Sequence, residues 1–161
     1  MISVVLLLGG NRGAVDQTFA GVVEDLRVMV GEVEQVSEIL RSAAWGFQAD
    51  DFLNQAVILS TALTAEQLLD ATQSIERKWG RVREDEQKEK AVSGEIYASR
   101  AIDIDIIFYG QSVTSSDRLT IPHPLMCERR FVLEPLSQIA PQLCHPITGK
   151  SVEQMLNELK D

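Results

Sequence analysis

The sequence predicts an α+β domain with a mostly antiparallel sheet, and three observations lead there. Apolar runs at Ile2 to Leu8, Gln55 to Ser60 and Ala101 to Phe108 have the length and residue types of strands. Two other stretches carry apolar residues at helical spacing. In chain order the elements alternate as strand, helix, strand, strand, helix, strand. At 161 residues the chain has the size of one domain with one core, expected to span 1–161.

The first strand ends at Gly9, Gly10 and Asn11. The helix after it is predicted from Val15, with Val15, Phe19, Val22, Leu26 and Met29 turned inward. A weaker strand is expected over Val33 to Leu40, and a loop over Ser42 to Asp51. Thr64 with Gln67 three residues on is a capping box, and the helix behind it turns Leu68, Ile75 and Trp79 inward before stopping near Gly80. Residues 84–99 are charged and aperiodic, a long loop of the kind that often serves function. Ser112 to Ile121 is expected as a hairpin arm, and Ser151 with Gln154 caps a last helix bearing Val152, Met155, Leu156 and Leu159. The order of elements is that of a ferredoxin-like β-α-β-β-α-β core, here with an extra C-terminal hairpin and helix.

Composition narrows the function. A net charge of -9 leaves no broad basic face for a nucleic acid backbone, although a local cluster of arginines still suffices for a nucleotide. Cys127 and Cys144 have neither zinc-site spacing nor a disulfide framework, and two thiols suit a reducing compartment. No apolar run approaches the roughly 20 residues of a membrane helix. A soluble, cytoplasmic protein is expected.

The strongest chemical feature is the strand at 101–108. Alternation sends Ile102, Ile104, Ile106 and Phe108 to one face and Asp103 and Asp105 to the other. Two residues along a strand span about 6.6 Å, so the carboxylates project in parallel across a gap that one or two metal ions could fill. Carboxylates without Cys or His favour magnesium or manganese over zinc. The plain alternative is a half-exposed strand with a polar outer face, but aspartate is disfavoured in strands, so a pair of them calls for a reason.

Cations lie along the chain at Arg81, Arg83, Arg100, Arg118, His123 and Arg129. Brought together they would neutralise a polyphosphate, for which the planar guanidinium fork is suited; apart, they are solvated surface charges. His123, between two prolines, reads either as a phosphate donor or proton carrier, or as a structural hydrogen-bonder. Trp45, Gly46, Phe47, Phe52, Asn54 and Phe131 would suit a flat heterocycle read at its edge by an amide, or would simply fill a core. The run Gly149, Lys150, Ser151 lacks the first glycine of a phosphate loop, and Gly9 to Gly13 lacks dinucleotide-binding spacing.

In combination these motifs resemble the hydroxymethyl-dihydropterin pyrophosphokinases of folate biosynthesis. The resemblance covers roughly residues 2 to 145. It rests on Leu8 to Asn11, Asp51 to Val57, Ile75-Glu76 with Gly80 to Arg83, Arg100 with Asp103 and Asp105, and Ile121 to Pro124 followed by Glu128 to Leu136. It implies transfer of pyrophosphate from ATP to the pterin hydroxymethyl group with release of AMP. By the same resemblance two magnesium ions would sit on Asp103 and Asp105, and Arg83 and Arg100 would close over the phosphates. Gln73, Glu76, Tyr97, Ile106, Arg118, Thr120, His123 and Arg129 would line the ATP site. The pterin would stack between Phe52 and Phe131, with Asn54 and Ser42 on its polar edge and the chain near Trp45 and Gly46 completing the pocket. Phe52 stands where the family usually has Tyr, Tyr97 where it often has Trp, and Ala98-Ser99 where Gly-Pro is common; the loop between Arg83 and Arg100 is longer than in the shorter members. The expected partners are these two small molecules alone, with no nucleic acid, no membrane and a monomeric chain. Rival readings are a metal-dependent transferase with another acceptor and a non-catalytic ligand-binding module.

Overall fold

The computed structural model describes residues 1–11, 14–42, 52–80 and 102–159. Its described elements are strands β1 (Ile2–Gly10), β2 (Gly31–Val36), β3 (Leu40–Ser42), β4 (Phe52–Thr61), β5 (Asp103–Tyr109), β6 (Thr114–Ser115) and β7 (Thr120–Ile121), with helices α1 (Val15–Met29), α2 (Ala65–Lys78), α3 (Arg130–Ile139) and α4 (Val152–Glu158). The sheet runs β2-β4-β1-β5, with β3 also on β4, and every pairing in it is antiparallel. The chain is therefore a mixed α/β structure on an antiparallel sheet.

β1 lies at the centre of the sheet, which explains its unbroken apolar run. Val4, Leu6 and Leu8 enter a core with α1 and α2, while Val5 and Leu7 enter a second core with α3 and α4 on the opposite face. Burial on both sides removes the usual alternation of polar and apolar residues. The first core holds Phe19, Val22 and Leu26 of α1 with Leu68 and Ile75 of α2. Met29, expected inward, is exposed, and Val30 is buried in its place. The helix ends there, and the chain turns into β2.

Thr64 caps α2 with the reciprocal capping box, its side chain accepting from the Gln67 N–H at 3.2 Å and the Gln67 side chain accepting from the Thr64 N–H at 2.9 Å. Trp79 follows the last turn and donates its indole N–H to Asp25 at 2.8 Å, tying α2 to α1. The predicted strand at Gln55 to Ser60 extends to β4, and the weak strand at Val33 to Leu40 is divided into β2 and β3.

Two features depart from the sequence reading. The pairing of β1 with β5 slips between Val5 and Leu6, leaving Ile107 as an extra residue. The bulge turns Phe108 over, so it lies in the α3/α4 core rather than with Ile102, Ile104 and Ile106. The second is α3, which was not among the expected elements although Val132, Leu133, Leu136 and Ile139 recur at helical spacing. Pro135 sits inside it and has no N–H for the carbonyl one turn back, yet the helix runs on to Ile139 because Val132, Leu133 and Leu136 are buried. Ser151 caps α4 as expected, accepting from the Gln154 N–H at 3.1 Å.

Candidate active site

Among the described residues β5 is the outer strand of the sheet, and a cavity lies along its edge. It encloses about 430 Å³ and is lined by β5, by α2, by the strand β7 with the residues before it, and by the turn from His123 to Arg129. From β5 come Asp103, Asp105 and Ile106; from α2, Thr72, Gln73 and Glu76; from the remaining segments, Arg118, Thr120, His123 and Arg129. Residues scattered over 57 positions of sequence thus share one hollow.

Local chemistry fixes the walls. Glu76 is only 4% exposed and its carboxylate accepts from the Ile104 N–H at 2.8 Å. An edge strand leaves every second N–H without a ladder partner, and here a side chain from α2 satisfies one of them. The His123 N–H donates to the Ile107 carbonyl at 3.1 Å, so the chain after β7 is pinned to the same edge. Arg118 is held over the cavity by α2, donating to Glu66 at 2.9 Å and Asp70 at 2.6 Å.

The His123 side chain is half-buried. Its Nδ1 accepts from the Leu125 N–H at 3.4 Å. Burial first, and then the neighbouring Arg129 charge, push its pKa below the ordinary histidine value, against a smaller upward pull from Asp103. The folded environment therefore favours the neutral ring, and a neutral ring whose Nδ1 accepts carries its proton on Nε2, where it can donate.

The carboxylates are tied by register to a second group of residues. Asp105 pairs with Leu7 and Asp103 with Gly9, and Gly9 pairs on its other side with Asn54. Directly paired residues share a face, and Leu7 faces α3 and α4. Asp103, Asp105, Gly9 and Asn54 therefore share that face, as does Phe52, two residues from Asn54 along β4. A Cβ at Gly9 would meet the Asn54 Oδ1 at 3.2 Å, so the missing side chain is what lets the buried Asn54 amide lie across β1. Phe131 packs from α3 against the same core, with the Arg129 guanidinium 5.5 Å from its ring centre. Arg129 thus links the cavity to the aromatic side of the sheet.

The structure therefore gathers Gln73, Glu76, Asp103, Asp105, Ile106, Arg118, Thr120, His123 and Arg129 on one cavity. Phe52, Asn54 and Phe131 do not line it; they lie on the adjoining α3 face of the sheet. Ser42 is placed by its backbone, paired with Phe52. Trp45, Gly46, Arg83, Tyr97 and Arg100 lie outside the described residues. Thr72, Leu69, Leu119 and Pro124 also line the cavity and were not expected; Leu69, Thr72, Gln73 and Glu76 recur at helical spacing, which would have shown that they share a face of α2.

Asp103 and Asp105 offer hard oxygen donors with no thiol or second histidine beside them, a set that fits magnesium. Among the described residues there is no group of three or more His, Cys, Asp and Glu that could hold a metal ion.

Carboxylates, arginines and a histidine thus share one cavity at a strand edge of a mixed α/β domain. The profile of the 7,8-dihydro-6-hydroxymethylpterin-pyrophosphokinase (HPPK) family matches residues 5–141, and the chain belongs to that family. The activity of the family is pyrophosphoryl transfer to hydroxymethyldihydropterin in folate biosynthesis. Among its relatives, the 2-amino-4-hydroxy-6-hydroxymethyldihydropteridine pyrophosphokinase of Synechocystis is 38% identical over 96% of this chain and 75% of its own length. The enzyme of the same name from Methylorubrum extorquens is 39% identical over 99% of this chain and 94% of its own. A crystal structure of Plasmodium falciparum HPPK-DHPS superposes with a TM-score of 0.72, covering 98% of this chain and 44% of that one; at 13% identity it speaks for the fold alone.

Proposed function

We propose that this pyrophosphokinase takes ATP as donor, binds magnesium through Asp103 and Asp105, and passes the β,γ-pyrophosphoryl group to the hydroxymethyl oxygen of the dihydropterin with release of AMP. The observation that supports this most is the row Asp103, Gly9, Asn54, which connects a phosphate-sized cavity to a heterocycle-sized face across three strands.

On this reading the triphosphate enters the cavity with Arg118 and Arg129 offering charge and the His123 Nε2–H offering a hydrogen bond. Gln73, Glu76, Ile106 and Thr120 bound the nucleotide. Phe52 and Phe131 sandwich the pterin, Asn54 reads its amide edge, and Ser42 with the chain near Trp45 and Gly46 completes the pocket. The pterin hydroxyl oxygen forms a bond to the β-phosphorus and releases its proton to solvent, while the bond from that phosphorus to the oxygen bridging to the α-phosphate breaks, leaving that oxygen on AMP. Magnesium at the aspartates would supply charge neutralisation and a template for alignment. Such transfers need mainly positioning and electrostatics, so no strong protein base is required. Arg83, Arg100 and Tyr97 belong on the segment that covers the phosphates and excludes water.

The strand order β2-β4-β1-β5 supports a ferredoxin-like core, with the β6–β7 pair and α4 as its C-terminal additions. We read residues 1–161 as one domain acting as a monomer. Cys127 and Cys144 are both free thiols, which suits the cytoplasmic setting proposed for the chain.

Incubation with ATP, magnesium and 6-hydroxymethyl-7,8-dihydropterin tests the proposal. AMP formed in step with pterin pyrophosphate is the expected result; ADP, free pyrophosphate or no turnover would overturn it.

A further inference from the structure

The two walls assigned to the pterin are joined by contacts that touch no substrate. β2 and β3 both pair with β4, but between them the chain leaves the ladder over residues 37–39. Ser37 is 5% exposed and closes that gap with its own groups. Its N–H donates to the Ala56 carbonyl at 2.9 Å, and its hydroxyl accepts from the Ala56 N–H at 2.9 Å while donating to the Glu38 carbonyl at 2.8 Å. The Gln55 side chain donates to the Ser37 carbonyl at 2.9 Å. The hydroxyl thus takes the place of a backbone carbonyl in the ladder, and pairing resumes at Leu40 with Asn54.

The same break is gripped from the other side. The Glu38 N–H donates to the Gln138 Oε1 at 3.0 Å, and the Gln138 amide donates back to the Glu38 carboxylate at 3.5 Å. Gln138 stands seven residues after Phe131 on α3, two turns along the same face and about 10.5 Å away. One end of that face therefore carries the aromatic assigned to the pterin, and the other is anchored to the strand break that leads into Ser42, opposite Phe52.

We propose that Ser37 and Gln138 are positioning residues for the pterin, Ser37 setting the re-entry of β3 beside Phe52 and Asn54, and Gln138 setting the distance of α3, and so of Phe131, from that wall. This rests on the pterin assignment above. A stacking slot for a flat ring tolerates little change in width, because dispersion falls off steeply with a gap below an ångström. Neither residue reaches the cavity at the β5 edge, so the effect falls on the pterin and spares the nucleotide.

The test is the steady-state kinetics of Ser37→Ala, Ser37→Thr and Gln138→Ala with each substrate varied. Ser37→Ala leaves the buried Ala56 N–H unpaired and is expected to raise the pterin KM roughly tenfold, with Gln138→Ala raising it a few-fold. The ATP KM and the kcat at saturating pterin should stay within about twofold, and Ser37→Thr, which keeps the hydroxyl, should restore the pterin KM. An unchanged pterin KM in both alanine variants overturns the proposal, as does an equal loss for both substrates. Should Ser37→Ala fail to fold, the exposed Gln138→Ala decides alone. An inactive wild-type protein would instead count against the pyrophosphokinase reading, which the first assay tests separately.

Discussion

Glu76 offers a direct measure of how the active edge is held together. Its carboxylate takes the Ile104 N–H at 2.8 Å from a position almost closed to solvent, and Ile104 lies between the two aspartates. In Glu76→Ala that N–H loses its acceptor in a buried setting. A hydrogen bond to a charged acceptor is worth about 1.5–3 kcal/mol, and the orphaned donor costs about 1–3 kcal/mol, two descriptions of the same loss, so about 2 kcal/mol is expected. For a chain of this size each kcal/mol moves the midpoint by roughly 2–4 °C, giving a fall of about 4–8 °C by calorimetry. Glu76→Gln keeps an acceptor oxygen of nearly the same shape and should lose less than half of that. Freed from its anchor, β5 should also present Asp103 and Asp105 less sharply, so kcat/KM should fall in Glu76→Ala more than in Glu76→Gln. A Glu76→Ala protein that melts within a degree of wild type, or a Glu76→Gln protein as unstable as the alanine variant, would refute the reasoning.

Asp103→Asn and Asp105→Asn should each lower kcat by about 10²–10³-fold or more, since on the proposed mechanism both groups act through charge; near-normal turnover would remove them from the chemistry. Gly21→Ala should destabilise by about 1–3 kcal/mol in denaturant titration, because the new methyl would lie 2.3 Å from Trp79 ring carbons, and pairing it with Trp79→Phe should not recover the full loss, since Asp25 then loses the indole N–H. Burial lowers the pKa of His145, whose Nδ1 accepts from the Ile147 and Thr148 N–H groups at 3.1 and 3.3 Å. Folding therefore favours the neutral ring: its contribution is complete above the unfolded value of about 6.5 and is lost as pH falls below it. His145→Asn should flatten the acid side of the stability profile, and an unchanged slope would show that His145 does not titrate in this way; His123 adds a slope of the same sign.

The aspartate pair was legible because it broke a local rule. Asp in a strand otherwise made of isoleucine needs an explanation that periodicity alone cannot supply. β1, α1, β4, α2 and β5 were legible for the opposite reason: turns and apolar spacing, with a capping box at α2, agree with one another, whereas the division of β2 from β3 is set by pairing with β4. Phe108 was misplaced because a bulge depends on where β1 pairs with β5, and nothing within residues 101–108 records that register. α3 escaped notice because Pro135 argues locally against a helix that tertiary burial sustains. The bond from Glu76 to Ile104 joins residues 28 positions apart, and only the packing of α2 against β5 brings them together. Likewise Ser37 reads in sequence as an ordinary polar residue inside the strand expected over Val33 to Leu40; that its hydroxyl substitutes for a backbone group is visible only in the ladder.

The bonds made by Glu76 and His123 belong to one feature that only the fold creates, the edge of β5. An outer strand carries N–H and C=O groups that must be satisfied or left to water, and here α2 supplies Glu76 to one while the turn at His123 takes another. Among the described residues the edge is met by side chains and a turn, and a cavity lies beside it. This arrangement lets carboxylates stand on the strand without entering either core, since Asp103 and Asp105 lie where the sheet meets that hollow. The opposite neighbour of Asp103 is Gly9, and the space above that glycine is taken by the amide of Asn54. One strand row thus runs from the cavity to the aromatic face, and the two substrates proposed here would meet at its Asp103 end. The separation between the reacting atoms would then be set by strand spacing, the stiffest dimension the fold possesses.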